Sequence, residues 1–172
     1  MEVQTRIVAI KEEYFALLHK ALIECPFVYV RKSDAPSRKH FYPVFHRDGV
    51  PVDVPPAAGI YLIYRKHEDR PFYCGESRSL YRRIEYHFSD DPNAIRDSTL
   101  KKYFSEDRKG LVAMSKDLRF RFVEVPFGRR DFEEFLHEHY QLNTRKKKGP
   151  NPESCVARSW HTTLVEQAPP SP

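Results

Sequence analysis

The stretch GIYLIYRKHEDRPFYCGESRSLYRR, residues 59–83, decides how this chain folds. Residues 60–65 (IYLIYR) and 71–75 (PFYCG) carry the β-branched and aromatic side chains of strands, and the polar KHEDR between them suits a hairpin connection. The run SRSLYRRIEYHF (77–88) then reads as a helix, with Ser77 as a candidate N-cap and Leu80, Ile84 and Phe88 along one side. Paired strands can carry Tyr61 and Tyr73 on one face, and Gly59 and Gly75 keep side-chain bulk low beside them. Arg83 brings a two-pronged guanidinium and His87 lies one turn further on the same helix face. Together they offer donors for a phosphate and a candidate proton acceptor. Taken singly, each residue also suits an aromatic hairpin followed by a solvated arginine face.

Working outward, residues 7–22 repeat apolar positions at a helical period until Pro26 ends the pattern, and FVYVRK (27–32) reads as a short strand. Residues 33–58 hold five prolines and the turn dipeptide Asp48-Gly49, which predicts an irregular segment. Beyond Phe88 comes an insertion, 89–117, read as a loop and a helix. LRFRFVEV (118–125) alternates, Phe120 and Phe122 against Arg119 and Arg121, as a half-exposed strand does. RRDFEEFLHEHYQLN (129–143) predicts a helix capped by Asp131. The expected architecture is α+β: a small antiparallel β-sheet flanked by helices, with a helical and irregular N-terminal arm (1–58), a core (59–152) and a C-terminal tail (153–172).

Of the 172 residues, 40% are hydrophobic and 13% aromatic, enough for a folded core, and the net charge of +5 suits a polyanionic partner. Cys25, Cys74 and Cys155 are far apart and odd in number, with no CxxC or Cys/His spacing, which argues against a disulfide framework or a zinc site. The charged N-terminus does not read as a signal peptide, and no apolar run approaches the ~20 residues of a membrane span. A soluble, cytoplasmic protein is the expectation.

Gly59-Ile60-Tyr61 followed by Tyr73-Cys74-Gly75 resembles the signature of the GIY-YIG nucleases, with cysteine where isoleucine or valine is usual. Arg83 falls at that family's arginine spacing from the second tyrosine, and His87 stands where its restriction-enzyme branch has histidine and its repair nucleases tend to have tyrosine. The resemblance runs to about residue 151. It implies hydrolysis of a phosphodiester in double-stranded DNA with one Mg²⁺ per site, Mn²⁺ being able to substitute. Tyr61 would activate the attacking water with help from His87, Arg83 would clamp the scissile phosphate, and Tyr73 would position it. The family's metal-binding glutamate maps best to Glu133, which follows Phe132 and has Leu136 three residues on, although His137 breaks the apolar pattern. Glu138 is the alternative, and Glu134 lacks such neighbours. Neither Asn143 nor Asn151 matches the spacing of the family's late asparagine. Glu76 replaces a lysine often found in the repair branch.

The compact plan and His87 resemble a prokaryotic type II restriction endonuclease that cuts a short duplex site as a homodimer. A stand-alone, structure-specific repair nuclease of the same family is the alternative. Arg31, Lys32, Arg38, Lys39, His40 and Arg47 in the arm, with RKKK at 145–148, supply basic surface for phosphate contacts. Recognition and dimerisation are expected of the arm and the insertion.

Overall fold

The computed structural model describes residues 2–32, 43–88 and 117–142. Arg38, Lys39, His40, Asn143, Asn151, the RKKK run and the tail lie outside these residues, as does all but the last residue of the insertion. The elements are α1 (Glu2–Glu24), β1 (Val28–Lys32), β2 (Pro43–Arg47), β3 (Val50–Pro51), β4 (Gly59–Arg65), β5 (Tyr73–Ser77), α2 (Leu80–Phe88), β6 (Leu118–Glu124) and α3 (Arg129–His139). The six strands form one sheet in the order β3-β2-β1-β6-β4-β5, and every pairing is antiparallel.

β4 is hydrogen-bonded on both sides, to β5 and β6, and its first six residues are buried. Successive side chains of a strand point to opposite faces, so a strand buried on both reads as an unbroken apolar run. Tyr61 and Ile63 join Leu80, Ile84 and Phe88 of α2 and Phe120 of β6 in one cluster. Ile60, Leu62 and Tyr64 pack with Phe15 and Leu22 of α1 and Phe132 and Leu136 of α3 in the other. One face of the sheet therefore carries α2, and the opposite face carries α1 and α3.

Four local readings change. Residues 43–51 form the β2–β3 hairpin rather than an irregular segment: Arg47 pairs with Val50 across Asp48 and Gly49, whose φ values of 50° and 81° suit a two-residue turn. Through β1 pairing with β6, residues 28–32 and 43–51 extend the sheet that carries β4 and β5. Ser77 ends β5 and does not cap α2; its hydroxyl oxygen accepts from the Ser79 N–H at 3.0 Å, and the Ser79 carbonyl receives the Arg83 N–H at 3.1 Å. Gly128, at φ 70°, precedes α3 without a side-chain cap, so Asp131 sits in the first turn instead. β6 lies between β1 and β4 and is half-exposed as expected, but its arginine face is not open to solvent. Its arginine face is covered because Arg119 and Arg121 stack on Phe27 at 3.6 and 3.8 Å, and Arg121 also donates to the Ile23 carbonyl at the end of α1.

α1 holds α3 along much of its length. Lys11 meets Asp131 at 2.6 Å, Phe15 packs on Phe132 and Phe135, and His19 Nε2 lies 2.8 Å from the Tyr140 hydroxyl. The ion pair is exposed, and such pairs contribute ~1 kcal/mol or less. Burying a phenylalanine such as Phe15 contributes ~1.5–3 kcal/mol, so the aromatic contact dominates. Burial and the neighbouring His139 lower the His19 pKa from 6.5 to about 4. Between those values the unfolded chain binds a proton that the folded chain does not, so this group makes stability fall as pH drops from 6.5 towards 4. Replacing His19 by Gln, which keeps a polar partner for Tyr140 without a titrating ring, is expected to flatten the acid limb of a melting-temperature profile. An unchanged slope would contradict this assignment.

Candidate active site

The β4–β5 register sets Tyr61 opposite Gly75 and Ile63 opposite Tyr73, so both tyrosines lie on the face covered by α2. On α2, Arg82 is exposed whereas Arg83 turns inward, and His87, one turn later, is completely buried. Tyr61, Tyr73 and His87 form an aromatic triangle, with centroid separations of 6.1 Å between the tyrosines and 5.5 Å from each to the histidine.

The Tyr61 hydroxyl is the hub. It lies 2.5 Å from His87 Nε2, with Tyr73 and Arg83 near enough to act on it electrostatically. Gly75 makes this arrangement possible, because a Cβ there would stand 2.3 Å from the Tyr61 oxygen and 2.5 Å from Cζ. The glycine serves close approach of a side chain rather than an unusual backbone angle. Gly59 plays a corresponding part behind the site, where a Cβ would meet the Val123 carbonyl at 2.3 Å and Leu80 Cδ1 at 2.7 Å.

Burial raises the Tyr61 pKa well above 10, and the adjoining Tyr73 adds to the shift while Arg83 opposes it. Burial also raises Tyr73, against the opposing influence of Tyr61 and Arg83, with the Glu133 charge pushing further upward. Both tyrosines are therefore neutral phenols in the resting site. The Arg83 Nε is buried without a hydrogen-bond partner among the described residues. A buried, unsatisfied donor on a permanent cation is costly, and an anionic oxygen delivered by a ligand relieves that cost.

Glu133 reaches the site from the opposite side of the sheet edge. It lies one residue beyond buried Phe132 on α3, and its Oε1 accepts the Glu76 N–H of β5 at 3.2 Å. The buried His137 follows one turn later, with Nε2 3.9 Å from the same oxygen. Glu138 is exposed near the end of α3. The fold thus brings Tyr61, Tyr73, Arg83, His87 and Glu133 to one region of β5 and leaves Glu138 in solvent. His137 interrupted the expected apolar pattern, yet its spacing of four from Glu133 was the available sign that the two side chains meet. Glu76 pairs with Arg129 at 3.3 Å, which no sequence spacing announced.

The model of the GIY-YIG catalytic domain family matches residues 57–151, more than half of the chain, and this protein belongs to that family. It is accordingly a nuclease acting on DNA. No match is found among curated proteins or among solved structures. No described helix is long and apolar enough to cross a membrane.

Gly75→Ala tests the packing at the hub. The fully buried Tyr61 ring has little room to retreat from the new methyl, so the variant is expected to separate Tyr61 from His87. Displacement by ~1 Å can cost ~100-fold in rate, and a loss of that order in DNA cleavage is expected from a chain that remains folded by circular dichroism. Full activity in Gly75→Ala would show that the hub tolerates the group.

Proposed function

We propose that the chain is a type II restriction endonuclease, cutting both strands of a short duplex site as a homodimer with one Mg²⁺ per active site. The observation that supports this reading is the buried 2.5 Å contact between Tyr61 and His87, which stands where the restriction branch of the family has histidine. Residues 1–58 are assigned to DNA recognition or the dimer contact, with exposed Arg31 among the cations available for phosphates. A two-fold dimer matches the symmetry of a palindromic duplex. The setting is the cytoplasm of a prokaryote.

Among the described residues there is no group of three or more His, Cys, Asp or Glu side chains arranged around a metal position. One carboxylate is nevertheless a suitable donor set for Mg²⁺, which keeps several waters and is often held by one or two carboxylates plus substrate phosphate. Glu133 supplies that carboxylate, directed by the Glu76 N–H. When bound, the divalent ion supplies stabilisation for negative charge on the leaving 3′ oxygen.

The remaining work falls to the chain's own groups. Arg83 takes a non-bridging phosphate oxygen, satisfying its buried Nε, and Tyr73 orients the phosphate. Tyr61 hydrogen-bonds the attacking water. A phenol with a raised pKa is no base by itself, so a proton accepted from water at the Tyr61 oxygen must be matched by transfer of the phenolic proton to His87 Nε2. This requires the His87 tautomer with its proton on Nδ1.

Incubation with plasmid DNA and Mg²⁺ is expected to give discrete fragments, and EDTA should abolish them. Arg83→Ala and Glu133→Gln are each expected to lower turnover by at least ~1,000-fold while the chain stays folded. Cutting confined to branched DNA would overturn the restriction reading, and wild-type turnover in either variant would overturn the site assignment.

A further inference from the structure

A cleft of about 480 Å³ adjoins the Glu133 side of the site, between the end of β5 and the turn from β6 into α3. Glu76 joins the two. Its N–H holds Glu133 at 3.2 Å, while its carboxylate faces the cleft and pairs with Arg129 at 3.3 Å. The other lining carboxylate, Asp131, is engaged by Lys11 at 2.6 Å. Arg78 and Arg130 also line the cleft, are exposed, and have no carboxylate partner among the described residues. Both acids are therefore balanced while two guanidiniums are not, which gives the cleft a net positive character.

Phe127 completes the lining with 66% of its surface exposed, an unfavourable position for a large apolar ring. The ring does not lie loose. One face stacks on Tyr14 at 5.3 Å and 14°, and the Tyr14 hydroxyl donates to the Phe127 carbonyl at 3.5 Å. A fixed aromatic plane beside two uncompensated guanidiniums fits a ligand with an anionic group and a flat ring, as in a nucleotide. Aromatic side chains stack on any base, because each base has a π-face.

We propose that this cleft is a subsite for a nucleotide flanking the scissile phosphate, with Arg78 and Arg130 on its phosphate oxygens and Phe127 stacked on its base. The proposal rests on the reading of Tyr61, Arg83 and Glu133 as the cleavage site, and it gives that site a grip on the strand next to the cut. The Glu76–Arg129 pair links the subsite to the glutamate, so a nucleotide seated in the cleft acts on the same β5 backbone that directs Glu133.

Binding of a fluorescein-labelled duplex to the full chain, measured in EDTA over a salt series, tests the arginines. Each lost phosphate contact makes the log–log salt dependence about 0.9 shallower, so Arg78→Ala/Arg130→Ala is expected to reduce the slope by about 1.8. Phe127→Ala is expected to weaken binding by at least about fivefold without changing the slope. Because that truncation also removes the Tyr14 contact, a second variant retains an aromatic ring. In a Trp160→Phe background, which removes the chain's single tryptophan, Phe127→Trp should fluoresce and be quenched when duplex is added. An unchanged salt slope, or tryptophan emission untouched by bound duplex, overturns the subsite while leaving wild-type cleavage intact. Failure of the wild-type chain to bind DNA would instead remove the reading on which the subsite rests.

Discussion

The contact between the Tyr61 hydroxyl and His87 Nε2 is the constraint on which the rest of the site depends. It joins a central strand to the helix covering it, and both side chains are buried. Burial makes the phenolate expensive, so Tyr61 cannot store negative charge on its own, and Arg83 only partly offsets the penalty. A buried phenol with a histidine at its oxygen can pass a proton on in step with gaining one. The surrounding sequence serves that contact: Gly75 leaves room for the oxygen, Ile84 and Phe88 seat α2, and the β4–β5 register sets Tyr73 alongside.

The second half of the site is held by different forces. Glu133 sits on a helix whose apolar side is fixed by Phe15 and Leu22 of α1 and by the sheet, and its carboxylate is aimed by one backbone N–H of β5. The two halves therefore meet along β5, with Tyr73 on one face of the strand and Glu76 on the other. This separation explains how a carboxylate and two phenols can converge without pairing directly: the sheet edge lies between them, and Arg83 balances the tyrosine side.

Much of this was legible in the sequence where local spacing determines geometry. The β-branched and aromatic runs at 60–65 and 71–75 gave the hairpin, the family resemblance singled out Arg83 by its distance from Tyr73, and helical periodicity put His87 on the same face as Arg83. The apolar stripe of α3 set Glu133 and Glu138 apart from Glu134 but left both as candidates, because only the contact of Glu133 with the Glu76 N–H of a distant strand distinguishes them. What escaped depends on contacts between distant segments. The prolines at 43 and 51 suggested an irregular path, yet both residues are accommodated in β2 and β3, at the far edge of the sheet from β5. The arginines of β6 read as solvent-facing because their apolar cover, Phe27, comes from nearly a hundred residues earlier. The pairing of Glu76 with Arg129, and the clasp of α1 on α3, likewise have no short-range signature.

The most direct test of the central claim is a double-mutant cycle on single-turnover DNA cleavage with Tyr61→Phe, His87→Ala and the pair combined. If one proton path runs through both residues, each single change should cost at least ~100-fold, and the combination should be no worse than the poorer single by more than ~3-fold. Losses that multiply, with the pair falling by the product of the two singles, would contradict the account and show that Tyr61 and His87 act independently.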